Sequence, residues 1–73
     1  MARLPRCSGA EVIRAFERAG WTWDRQKGSH VTLFKPGHRL VLTVPLHDAL
    51  GPGLLRRLIR DSGLSVEQFT ELL

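Results

Sequence analysis

Apolar and polar positions follow two different periods along this chain, and the switches between them mark its elements. From Ser8 the period is helical. Val12, Ile13, Phe16 and Ala19 fall on one face, Ser8 and Glu11 make a capping box, and Gly20 supplies the stop. From Trp21 to Lys27 the period drops to two, with Trp21, Trp23 and Arg25 on one side; this predicts a strand whose tryptophans are core. Gly28-Ser29 turns the chain. His30–Phe34 then alternates again, Val31 and Leu33 on one face and His30, Thr32 and Phe34 on the other.

Lys35-Pro36-Gly37-His38 has Pro and Gly where a type II turn wants them. Pairing Phe34 with Arg39 across that loop sets Leu33 opposite Leu40, Val31 opposite Leu42 and His30 opposite Thr43, so the apolar residues coincide. The first turn admits two forms. A two-residue turn sets Lys27 across from His30 and sends Trp23 outward; a bulged or three-residue turn keeps the tryptophans inside, and is the expectation here. Pro45 closes the third strand, and 46–50 is a connection. Gly51-Pro52 opens a second helix with Leu54, Leu55, Leu58 and Ile59 buried and Gly63 as its stop. Ser65 and Gln68 cap a short last helix with Val66, Phe69 and Leu73 inward. The predicted class is α+β: helix, three antiparallel strands, helix and a short C-terminal helix, with one sheet face covered and one free.

Length adds that residues 1–73 are one domain. The basic N-terminus leads into no apolar run, so neither a signal peptide nor a membrane span is expected. A lone Cys7 allows no internal disulfide and fits a reducing cytoplasm. Charge changes the picture more. The net charge is +4, and residues 1–39 hold eight of the eleven Lys and Arg, so the basic excess surrounds the central turn and the first helix. Such a surface suits a polyanion such as nucleic acid.

Three histidines invite a metal reading, but His38 lies in the far loop, ~20 Å of strand from His30. His30 and His47 alone, without a carboxylate or thiolate at motif spacing, make a poor zinc site, so no metal or cofactor is expected. Ser29 and His30 are adjacent on a strand and point apart, which removes a nucleophilic triad. What remains is one displayed histidine, His30, among Arg25, Lys27, Lys35 and Arg39. A histidine, with an ordinary pKa of ~6.5, can move a proton near neutrality. Beside cations it can help an RNA 2′-hydroxyl attack its own phosphodiester.

Ala19-Gly20-Trp21, Lys27-Gly28-Ser29-His30, Val44-Pro45-Leu46-His47, and the run Gly53–Ile59 followed by Ser62-Gly63-Leu64-Ser65 occur here in an order and spacing similar to the HicA toxins of HicA–HicB toxin–antitoxin modules. The resemblance implies a double-stranded-RNA-binding-domain-like fold and an endoribonuclease (mRNA interferase) in which the Gly-Ser-His histidine, here His30, is catalytic. It also implies inhibition by a HicB-like antitoxin. From proximity, Lys27 and Arg25 would stabilise phosphate and Ser29 would place the scissile group; Lys35 and Arg39 would add RNA-binding charge, and His47 a supporting role. The connection Asp48–Gly53 is less basic than in many members of that family. A non-catalytic RNA-binding module using the same basic face is the alternative.

Overall fold

The computed structural model describes residues 3–73; Met1 and Ala2, part of the basic N-terminal stretch, lie outside the described residues. The order is α1 (Gly9–Arg18), β1 (Thr22–Lys27), β2 (His30–Phe34), β3 (Leu42–Pro45), α2 (Pro52–Ser62) and α3 (Val66–Glu71). The strands form one antiparallel sheet in the order β1-β2-β3. This is the expected α+β class, with the topology of the double-stranded-RNA-binding-domain-like fold.

Local chemistry sets the helix ends. Ser8 accepts from the Glu11 backbone N–H while the Glu11 carboxylate accepts from the Ser8 N–H, and Ser65 and Gln68 repeat the arrangement for α3. At the end of α2, Gly63 takes a left-handed φ of 82° and the buried Ser62 hydroxyl bridges the Ile59 carbonyl to the Leu64 N–H. The core is a single cluster. Val12, Ile13, Ala15 and Phe16 of α1 and Leu55, Leu58 and Ile59 of α2 meet Val31, Leu33, Leu42 and Val44 of the sheet. Phe69 of α3 packs on Phe16 with ring centroids 5.2 Å apart, and both are fully buried. The Arg18 guanidinium donates to the Leu72 carbonyl, fastening α1 to the end of α3.

Three expectations need correction. The β2–β3 register is two residues further along: Leu33 faces Leu42, Val31 faces Val44 and His30 faces Pro45. A two-residue slip keeps every side chain on its face, so the core pattern survives it. The type II turn itself forms, closed by the His38 N–H to the Lys35 carbonyl with Gly37 at φ 86°. Beyond it, Arg39, Leu40 and Val41 are an unpaired extension, so Leu40 and Val41 are exposed rather than core.

The second correction concerns the tryptophans. Gly28-Ser29 is a two-residue turn after all, with Lys27 opposite His30. A bulge does occur, but between Trp23 and Arg25, where it returns Trp23 to the register of Leu33. Only Trp21 is buried; Trp23 is 43% exposed because the helices do not reach over β1, all of whose residues are exposed. In the third, Leu73 is exposed and Leu72 packs against the core in its place.

Candidate functional site

The turn that carries His30 is unusually well held. Gly28 has φ 58°, and among the described residues no residue other than glycine has positive φ; glycine first and Ser29 second define a type II′ turn, whose twist matches that of paired strands. Gln26, the strand residue before Lys27, donates its side-chain amide to the Gly28 carbonyl at 2.9 Å. From the other side, the Leu46 N–H donates to the Ser29 carbonyl at 2.7 Å. The Gly28-Ser29 backbone that leads into His30 is therefore held by β1 on one side and by the residue just after β3 on the other.

That second tie leads to α1. Gly9, its first residue, donates its N–H to the His47 carbonyl at 2.9 Å. A Cβ on Gly9 would stand 1.9 Å from the Pro45 carbonyl oxygen, so only glycine lets the helix start come this close to the end of β3. Pro45, Leu46 and His47 are thus clamped between the turn and α1, and His47 lies two residues beyond the strand partner of His30.

The His30 imidazole is exposed, and among the described residues no hydrogen bond engages it. Lys27 is its direct neighbour across the ladder, and Arg25 pairs with Thr32 one row further on. Paired residues share a face, so Lys27, Arg25 and His30 lie on the side of the sheet that no helix covers. Arg25 and Asp24 approach to 3.7 Å, both well exposed, an ion pair of little energetic consequence.

Lys35 and Arg39 lie elsewhere. Both follow β2, at the end of the sheet away from His30. The Lys35 ammonium donates to the Ala19 carbonyl at 2.9 Å, and its chain lies over Gly20. It satisfies a carbonyl at the C-terminus of α1, where a cation also complements the helix dipole. Arg39 lines a recess with Gly37, His38, Leu40 and Asp61. His38 packs edge-on against Trp21, centroids 4.9 Å apart, away from the other two histidines. Among the described residues no three His, Cys, Asp or Glu side chains converge as metal ligands would.

Sequence reasoning missed Gln26, Gly9 and the Leu46 N–H. Nothing in the local pattern distinguishes Gln26 from a solvated strand residue, and a backbone donor has no residue signature. Gly9 had one available signal, a glycine at the first position of a helix where almost any side chain is tolerated by the helix itself.

A small basic sheet with helices on one face and a single histidine presented beside cations on the other places this chain in the class of compact α+β folds of helix–three-strand–helix order. The assignment sharpens on comparison. A family model described as the HicA toxin of bacterial toxin–antitoxin systems matches residues 9–64. The chain belongs to the HicA toxin family. A solved structure, the "Toxin-Antitoxin complex from Streptococcus pneumoniae", contains a chain 31% identical, with a TM-score of 0.68; the match covers 78% of this chain and 97% of that one. No curated protein matches the chain. Among the described residues no helix is long and apolar enough to cross a membrane.

Proposed function

We propose that this HicA-family chain is an endoribonuclease that cleaves mRNA with His30 as its general acid and base. The observation that carries the reading is the presentation of His30: a free imidazole on a backbone pinned from both sides, with Lys27 opposite. His30 takes the proton of an RNA 2′-hydroxyl as that oxygen attacks the adjacent phosphorus. The resulting imidazolium returns the proton to the departing 5′-oxygen, leaving a 2′,3′-cyclic phosphate and a 5′-hydroxyl. Lys27, with Arg25 behind it, stabilises the charge that builds on the non-bridging oxygens. Ser29 holds its place in the turn beside the scissile group, and His47 supports the RNA from the clamped end of β3. Lys35, engaged with the Ala19 carbonyl, and Arg39 add positive charge at the end of the sheet away from His30.

The partner that controls this activity is a HicB-like antitoxin. Family membership supports it, as does the similar chain that was solved in a toxin–antitoxin complex. Its substrate, mRNA, puts the site of action in the cytoplasm.

The experiment is inducible expression of the chain beside His30→Ala, with growth and total RNA followed in both. Growth arrest and mRNA loss are expected only with His30, and purified His30→Ala should cleave about 10²–10⁴-fold more slowly. Cleavage that survives His30→Ala sinks the assignment. Salt-sensitive RNA binding without any scission by the unaltered chain would favour the binding-module reading instead.

A further inference from the structure

The helix-free face of the sheet extends well beyond His30, and its three rows differ in chemistry. The row at the turn is Lys27–His30, with the buried Pro45 beyond His30, the next is Arg25–Thr32–Thr43, and the last pairs Thr22 with Phe34. Cations, then hydroxyls, then an aromatic ring therefore succeed one another along β2. Among the described residues the paired positions of this face carry no carboxylate; Asp24, in the bulge, lies 3.7 Å from Arg25 and offsets part of its charge, which leaves Lys27 as the unopposed cation beside His30. Phe34 is 40% exposed, and Val41, which comes just before β3, is 55% exposed. From His30 to Phe34 the strand rises ~13 Å.

We infer that this face is a track for single-stranded RNA, on which Phe34 stacks an unpaired base lying roughly one or two nucleotides from the linkage at His30. The inference rests on the ribonuclease reading and deepens it. Charge complementarity favours RNA as the occupant, since the cations sit where a phosphate reaches His30. The hydroxyls of Thr32 and Thr43 offer donors and acceptors to the sugar and base edges between. A single strand is required because the base faces of a duplex are already stacked and closed to Phe34. An aromatic ring is a base platform of little sequence preference, every base having a π-face.

The test uses the full chain carrying His30→Ala, so that RNA survives the measurement. Its binding to a short mixed-sequence single-stranded RNA labelled with fluorescein is followed by anisotropy, with Phe34→Ala, Phe34→Leu and Phe34→Trp added in turn. Phe34→Ala and Phe34→Leu should weaken binding roughly five- to a hundredfold, and Phe34→Trp should restore it. An abasic site walked along the RNA should reduce affinity at one position for the Phe34 chain and have no further effect on Phe34→Ala. Because Phe34 is surface-exposed, the urea midpoints of these variants should stay near that of the parent.

Binding within about twofold for Phe34→Ala overturns the inference, and so does rescue by leucine equal to that by tryptophan, which would mean apolar contact without stacking. Duplex RNA of the same sequence bound as tightly as the single strand overturns it too. The two readings fail separately. An unaltered chain that cuts no RNA, yet shows the Phe34 effect on binding, defeats the ribonuclease alone; normal cleavage with unchanged KM in Phe34→Ala defeats the track alone.

Discussion

Replacing Gly9 with alanine adds one methyl group at the most crowded glycine among the described residues. The new Cβ would lie 1.9 Å from the Pro45 oxygen, 2.9 Å from its carbonyl carbon and 3.0 Å from the Leu46 Cα. All three are backbone atoms, so no rotamer change relieves the clash, and α1 must withdraw from β3 by more than an ångström. Overpacking of this kind costs about 1–3 kcal/mol. Withdrawal also stretches the 2.9 Å bond from the Gly9 N–H to the His47 carbonyl, worth about 1 kcal/mol. Against this, alanine regains at most about 1 kcal/mol of helix propensity. The net loss is about 1–3 kcal/mol, a sizeable part of the roughly 4–11 kcal/mol expected for 73 residues.

Urea unfolding followed by the fluorescence of buried Trp21 measures it directly. With a slope of ~1 kcal/mol per molar, the midpoint should fall by about 1–3 M. Gly53→Ala is the internal control. Nothing lies within 4 Å of a Cβ there, its φ is not positive, and it occupies the first turn of α2. It should leave stability unchanged or raise it by up to about 1 kcal/mol. If Gly9→Ala unfolds at the same urea concentration as the parent, the close seating of α1 on β3 is wrong, and with it the argument that this seating holds the His47 segment.

Other perturbations separate structural from functional charge. Lys35→Met should lower stability by about 1 kcal/mol through loss of the Ala19 contact and leave the salt dependence of RNA binding almost unchanged; Lys27→Ala should do the reverse, with the salt slope reduced by about 1. The Glu11 carboxylate is held below its usual range, first by the Ser8 backbone N–H and then by the Ser8 side chain. Its folded pKa is depressed, so its contribution is present above the unfolded pKa and fades as pH falls through the folded one. Glu11→Gln should therefore reduce the loss of stability seen between neutral and strongly acidic pH in urea titrations. Burial, and secondarily the charge of Glu11, pushes the Cys7 thiol up, so an aromatic disulfide reagent should react with it slowly in the folded chain and rapidly in urea. Phe69→Ala removes a fully buried ring packed on Phe16 and should cost about 3–5 kcal/mol, enough to unfold much of the population at ambient temperature.

The sequence by itself determined the elements, the capping boxes, the faces of β2 and the display of His30. Each of these depends on short-range spacing: three residues for a cap, two for a strand face, and a glycine for a positive φ. The same locality explains why the register slip did no harm, since a step of two residues preserves which side of a strand a residue occupies. Tertiary structure alone decided four further points. Leu40 and Val41 are as apolar as any strand residue, but β3 begins beyond them, so they are exposed. Trp21 and Trp23 have the same local pattern, and differ because the helical layer covers one and stops short of the edge strand bearing the other. Lys35 is one more cation in the sequence, and only the fold brings it to the carbonyl of Ala19, sixteen residues earlier. The clamp that ties His47 through Gly9 and the Ser29 turn through Leu46 consists of backbone groups far apart in the chain. A backbone N–H is the same in every residue but proline, so its partner is set by how the helices pack onto the sheet.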